Sequence, residues 1–259
     1  MFSTISHELK TPLNIISGTI QLLETTLSKS TNCDNCKSIS RYMKVMKQNS
    51  YRLLRLINNF IDLNKMDVGF FTIELKNKNI VKTIEDITLS IVEYTNMKGI
   101  EVIFDTNCEN ISMAFDEEKI ERVMLNLLSN AIKFTSSGGK IYVSVYDKEN
   151  KVEISVKDTG IGIPEDMIDN ILNPFIQVDP SLRKSVEGNG LGLTLVKSIV
   201  ELHDGNILVQ SEYKKWTKFI IELPKTIIEQ QEEDEITNDE FVDTRIERIN
   251  VEFSDIYSD

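Results

Sequence analysis

The apolar positions of this chain change rhythm once along its length. From Ile5 to Leu27 they recur by threes and fours, at Ile5, Leu9, Leu13, Ile16, Ile20, Leu23 and Leu27. At about 100° per residue these side chains fall within an arc of roughly 80°, the mark of an amphipathic helix. The spacing predicts a helix to about Ser28, then a polar turn from Ser30 to Cys36. A second helix follows, with Ile39, Met43, Met46, Ser50, Leu53, Ile57, Phe60 and Asn64 alternating fours and threes in a heptad-like seam. Two helices with narrow apolar stripes bury little surface alone. An antiparallel hairpin paired with a second copy in a four-helix bundle is therefore expected. Pro12 lies inside the first helix, where it removes a backbone bond to Glu8 and loosens the helix beside His7.

The helical rhythm ends near Lys65–Gly69, and strands then mix with helices. A short strand is expected over Phe71–Leu75, a helix capped by Asn79 and running to Met97, and a strand over Ile100–Asp105. After a linker, Asp116 has the character of an N-cap, with Glu117 and Glu118 in the favourable first turn, and its helix runs to Phe134. The Ser136–Gly139 turn leads into alternating strands Ile141–Tyr146 and Val152–Lys157. A glycine-rich loop, a short helix, a second glycine-rich loop, a helix over Leu191–His203 and strands Ile207–Ser211 and Phe219–Leu223 complete the pattern. The fold class is α+β: the hairpin, then an α/β sandwich ending near Pro224.

Composition narrows the function. Of 259 residues, 41% are hydrophobic and 27% charged, ordinary for a globular protein. The net charge of −12 argues against a nucleic-acid surface. Much of it sits in residues 225–259, where twelve acidic residues face three basic ones. That stretch is expected to be disordered, or helical only when bound. No apolar run approaches the roughly 20 residues that span a bilayer, and no signal peptide precedes the first helix, so a soluble, cytoplasmic chain is expected. Cys33, Cys36 and Cys108 make an odd count that suits a reducing compartment. The Cys33–Cys36 pair supplies only two of the four ligands a structural zinc takes.

Four places carry candidate chemistry. His7 lies about 160° from the centre of the apolar arc, with Glu8 beside it and Thr11 one turn on. These residues alone leave open a surface histidine or a nucleophile with a carboxylate to take its proton. On the helix from Asp116, Lys119, Arg122, Asn126, Asn130 and Lys133 lie within about 40° of one line. Asparagine disfavours helix interiors, an amide oxygen can ligate Mg²⁺, and lysine can meet phosphate. Asp158 closes a strand before Gly160, Gly162 and Ile163, so a carboxylate stands ready for an exocyclic amine and the glycines leave room for a planar ligand. Gly188–Leu193 opens a helix whose N–H groups suit phosphate. It is neither a P-loop nor a dinucleotide fingerprint.

Together these motifs resemble the catalytic core of a two-component sensor histidine kinase, over residues 1 to about 224. His7–Pro12 resembles the H-box, Asn126–Phe134 the N-box, Asp158–Pro164 the first glycine box, Asn173–Phe175 the F-box and Gly188–Leu193 the second glycine box. The resemblance implies a dimerisation and phosphotransfer hairpin over 1–66 and an ATP-binding domain over 70–224 of the kind shared with gyrase and MutL. It implies ATP and Mg²⁺ as cofactors, with Asn130 on the metal and Asn126 beside it. Lys133 is expected at phosphate, Phe134 at adenine, and Asp158 at the adenine amino group, with Gly160, Gly162 and Ile163 alongside. Phe175 would stand at the base of a lid, Arg183 or Lys184 would reach phosphate, and Gly188, Gly190, Leu191, Gly192 and Leu193 would cradle it.

His7 would attack the γ-phosphorus, Glu8 would accept the ring proton, and the phosphoryl group would pass to an aspartate of a response-regulator receiver domain. Thr11 would orient a water for dephosphorylation. Two departures from the family pattern stand out. Met1 is six residues from His7, which suggests a truncated chain or a partner that supplies the input. The segment Glu212–Trp216 lacks the usual glycine, so an altered turn is expected there. The alternatives are a dimeric ATP-binding signalling module without phosphotransfer, and an ATPase of the gyrase or MutL type.

Overall fold

The long helices form where the three–four rhythm is strongest. A computed structural model of the protein describes residues 2–29, 36–176, 190–229, 248–249 and 251–254. Helix α1 spans Phe2–Lys29 and α2 spans Cys36–Asp67. Helix α1 runs through Pro12 unbroken, with the ring buried. Two of the polar groups buried in this unit bond within their own helix. Thr19 Oγ1 donates to the Ile15 carbonyl at 2.7 Å and Asn49 Nδ2 to the Val45 carbonyl at 2.8 Å. The expected turn between the helices lies at residues 30–35, outside the described residues.

The chain divides into two units, Met1–Ile61 with Phe241–Asp259, and Asp62–Glu240. In the second unit, strands β1 (Lys76–Asn79) and β3 (Ser112–Phe115) pair antiparallel. A five-stranded sheet takes the order β2-β4-β5-β7-β6. Its strands are β2 (Glu101–Thr106), β4 (Lys140–Lys148), β5 (Lys151–Asp158), β6 (Asn206–Glu212) and β7 (Trp216–Pro224). Only β2 and β4 run parallel; the other neighbours are antiparallel. Register places Val143 opposite Val156 and Val156 opposite Phe219, with Val145, Ile154 and Ile221 in the next row of that face. All six are buried. Helices α3 (Ile80–Ser90), α5 (Glu117–Phe134) and α7 (Gly192–Leu202) cover the apolar face, and burial of each such side chain contributes about 1.5–3 kcal/mol. The short helices α4 (Val92–Met97) and α6 (Glu165–Ile168) complete the elements.

Four expectations change. The strand expected over Phe71–Leu75 is instead unpaired chain, held by the Glu74 N–H bonding to Asp116 Oδ2 at 2.9 Å and by Lys119 over the Phe71 ring. The ladder begins only at Lys76. The single helix expected to Met97 breaks at Ile91, where the Thr88 and Ser90 hydroxyls bond to the Ile84 and Ile87 carbonyls and compete with the helical ladder. β3 occupies what the sequence presents as linker. In place of a structureless tail, residues 225–229 run on beside the small sheet: Ala114 N–H bonds to the Thr226 carbonyl, and Asn77 exchanges two bonds with Ile228. Ile249 and Phe253 are buried as well, and Glu252 pairs with Arg55.

One cluster sets how α5 and α7 lie. Asp116 caps α5 through the Lys119 N–H at 3.1 Å. Its own N–H donates to His203 Nε2 at 3.1 Å, and His203 Nδ1, 2.8 Å from the Ile199 carbonyl, donates to it. The imidazole is thereby fixed as the neutral Nδ1–H form. The start of α5 thus meets the end of α7, so the helices are antiparallel. Replacing Asp116 by Ala removes the cap and the Glu74 bond. Urea denaturation is expected to show a loss of about 1–2 kcal/mol with an unchanged m-value.

Candidate nucleotide site

The antiparallel pin decides what meets what. Counting back 11 residues of α7 from His203, at about 1.5 Å each, brings Gly192 level with the second half of α5, where Asn126 and Asn130 lie. The loop after β5 closes the third side: Ile161 N–H bonds to the Phe134 carbonyl at 3.3 Å. Phe134 and the Asp158 loop therefore meet, and the start of α7 at Leu191–Leu193 lies along the half of α5 that carries Asn126, Asn130 and Lys133.

The polar line on α5 serves two purposes. Its N-terminal half is structural: Lys119 lies over Phe71 at 5.3 Å, and Arg122 pairs with Asp62. Its C-terminal half faces the site. Asn126 is fully buried, and its Nδ2 donates to the Arg122 carbonyl at 3.0 Å. Asn130 is half-buried one turn on, so it is the more open amide of the two. Lys133 lies over the Phe134 ring at 5.6 Å. Among the described residues no group of three His, Cys, Asp or Glu gathers to hold a metal. A hard divalent cation here would take the Asn130 amide oxygen together with ligand and water oxygens, a set that fits Mg²⁺.

Asp158 is 6% exposed at the end of β5. Burial pushes its carboxyl up to about 6, against the backbone N–H groups of Gly160 and Thr217, which pull it down. The Gly160 bond is 2.8 Å. The glycines of this loop answer to the protein's own backbone. A Cβ on Gly160 would lie 2.4 Å from the Phe134 carbonyl oxygen. One on Gly162, at φ +64, would lie 2.2 Å from the Glu212 carbonyl oxygen. The glycine-free turn after β6 explains that contact: Lys214 takes φ 65 and its N–H donates to the Ile161 carbonyl at 2.6 Å. Ile163 is held from β6, its N–H donating to Ser211 Oγ at 2.8 Å, while Ser211 Oγ lies 2.8 Å from the Trp216 carbonyl.

Phe175 and Gly190 close a neck, with the Phe175 N–H donating to the Gly190 carbonyl at 2.9 Å and both residues at positive φ. Arg183, Lys184 and Gly188 lie outside the described residues. His7 and Glu8 lie in α1 with side chains outside the described set, and Thr11 is exposed. Cys33 is not described, nor is the side chain of Cys36. Sequence reasoning missed Ser211 and Thr217, which hold the Asp158 loop. A small hydroxyl residue at the end of β6, opposite the start of β7, is the only signal they leave.

Comparison with known proteins fits this geometry. The family model for the Histidine kinase-, DNA gyrase B-, and HSP90-like ATPase matches residues 115–227, and that for the His Kinase A (phospho-acceptor) domain matches residues 1–69. The chain belongs to the histidine kinase family. It is 31% identical over 229 residues to the autoinducer 2 sensor kinase/phosphatase LuxQ of Vibrio parahaemolyticus, covering 85% of this chain and 26% of that protein. The chain thus spans about a quarter of that relative's length. The catalytic domain of histidine kinase ThkA is matched over all of its chain and 60% of this one, at 30% identity and a TM-score of 0.54. ThkA in complex with the response regulator protein TrrA is matched over 87% of this chain and 61% of that one, at 25% identity and a TM-score of 0.65.

Burying Asp158 carries a cost that depends on pH. A carboxyl raised in the fold from 3.8 to about 6 favours the folded state when protonated, and that advantage is lost as pH rises through this window. In the nucleotide-free protein, Asp158→Asn is therefore expected to raise stability at pH 7.5 by up to about 3 kcal/mol and to leave it unchanged near pH 4. Thermal unfolding at the two pH values measures the difference.

Proposed function

We propose that the chain uses ATP to phosphorylate His7 and passes the phosphoryl group to an aspartate of a response-regulator receiver domain. The observation that supports this is the antiparallel contact that sets the start of α7 along the half of α5 carrying Asn126 and Asn130, in a chain whose helix α1 carries His7. Asp158, as the carboxylate, accepts a bond from the adenine amine, and Phe134 lines the base. Lys133 and the N–H groups at the start of α7, after Gly190 and Leu191, meet the phosphates. Mg²⁺, held by Asn130 and phosphate oxygens, would neutralise charge on the triphosphate.

In the transfer itself, a His7 ring nitrogen forms a bond to the γ-phosphorus as the bond to the β-bridging oxygen breaks. ADP leaves, and Glu8 takes the ring proton. Positioning and charge neutralisation account for most of the rate. The receiver aspartate then displaces the histidine nitrogen from phosphorus. The ThkA–TrrA complex supports a partner of this class. ATP chemistry suits a cytoplasmic site of action, and no helix of the described residues is long and apolar enough to cross a membrane.

Incubation with γ-labelled ATP and Mg²⁺ is expected to give acid-labile, alkali-stable label that disappears in His7→Gln. Acid-stable label, or label that survives the substitution, rules the reading out. Homodimerisation is the second part of the proposal. Leu13, Ile20, Met43, Ile57 and Ile61 are 38–59% exposed, an apolar stripe that a second copy would cover. Sedimentation at micromolar concentration is expected to give a dimer, and a folded monomer there excludes it.

A further inference from the structure

The five-stranded sheet ends at β6, and nothing in that strand blunts the edge. Its seven residues, Asn206–Glu212, pair with β7 in unbroken register, so no bulge turns the edge aside. The strand contains no proline or lysine, the residues that commonly guard a free edge. The Glu212 carbonyl faces the β7 side, where it accepts the Lys215 N–H at 3.0 Å. In an antiparallel ladder successive residues alternate between bonding to the partner strand and facing away from it. Glu212, Gln210, Leu208 and Asn206 therefore turn to β7, and the N–H and carbonyl groups of Ser211, Val209 and Ile207 point outward. Among the described residues these outward groups have no backbone partner.

The surroundings of the edge define what fits it. Helix α6 packs against β6, on the helix-covered face where the Ile163 N–H bonds to the Ser211 hydroxyl. It brings three exposed carboxylates, Glu165, Asp166 and Asp169, none of them in an ion pair among the described residues. The lysines next to β6 are engaged, Lys215 with Glu212 and, on α7, Lys197 with Glu201. On the open face Leu208 is 43% exposed. Side chains alternate across a strand, so an added strand sets one row toward the α6 carboxylates and the other beside Leu208. A second copy of β6 is a poor occupant, because it brings its own three carboxylates to the same edge.

We propose that the β6 edge docks an extended, basic segment of a partner protein, in which lysine or arginine alternates with apolar residues, as a sixth strand of the sheet. Backbone bonds to Ile207, Val209 and Ser211 hold the segment, and the α6 carboxylates select its charge. The proposal does not depend on phosphoryl transfer.

The probe is the capped peptide Lys-Val-Lys-Val-Lys-Val-Lys, added to the full chain. A control peptide with every backbone nitrogen methylated keeps the charge but cannot donate to the edge. Residue-resolved amide hydrogen exchange is the readout. In the free chain the Ile207, Val209 and Ser211 amides are expected to exchange freely while Leu208 and Gln210 are protected. The peptide is expected to slow the first three about tenfold or more, and the methylated peptide is not. Val209→Pro is expected to abolish binding and leave the β7 ladder whole, because the lost N–H points outward. Glu165→Gln, Asp166→Asn and Asp169→Asn combined are expected to weaken binding about fivefold or more. Should Val209→Pro lose protection at Leu208 and Gln210, the methylated peptide and the neutralised α6 still decide. Absence of slowing at millimolar peptide overturns the proposal, as does equal binding of the methylated peptide, which marks charge attraction alone. Full affinity after neutralising α6 overturns the basic partner. Protection of the three amides in the dilute free chain shows an edge already covered, and protection that grows with chain concentration assigns it to a second copy; either result overturns the proposal.

Discussion

The hydrogen bond between the Asp116 N–H and His203 Nε2 is the constraint on which the rest of the second unit depends. It joins the first residue before one helix to the first residue after another. It also forces those helices antiparallel, and so brings the amides of one to the amino-terminal end of the other. The carboxylate of the same aspartate gathers the chain that precedes β1. One residue thus fixes a cap, a crossing and a chain path. His203 serves this purpose by accepting at Nε2 and donating at Nδ1.

Local rules made much of this visible in the sequence. Asn79 and Asp116 are caps because a short acceptor before an apolar-periodic run satisfies the first free N–H groups, and both do so here. The sheet was legible where strands are long and alternate, as in β4 and β5. It was not legible at β3, whose four residues find their partner more than thirty positions away in β1. The break at Ile91 was hidden because its cause is hydroxyls turning back on the helix rather than a glycine or proline. His203 was hidden because its value lies wholly in a tertiary contact.

The candidate site was readable as a set of residues, but the reasons for some of them were not. The glycines after Asp158 suggest room for a ligand. In the structure they are small because the Phe134 and Glu212 carbonyls press on them from inside the protein. Likewise the polar line on α5 reads as one surface, yet Arg122 and Lys119 hold the chain while Asn130 is left toward the site. The C-terminal contact was beyond sequence reasoning altogether, because Gln48 donates to the Ser254 carbonyl across 206 positions and neither is unusual for its surroundings.

The strand order has a consequence for the time at which the protein becomes competent. β7 lies between β5 and β6, so an interior place in the sheet is filled by the last strand of the unit to be synthesised. The Asp158 loop rests on Ser211, Glu212 and Thr217, which come from that same late hairpin. A nascent chain that has emerged as far as α7 already carries Asn130 and Asp158, but without the backbone that shapes their loop. The helical hairpin, built from contacts nearby in sequence, has no such wait. On the ribosome the two long helices therefore emerge before the sheet of the second unit is complete.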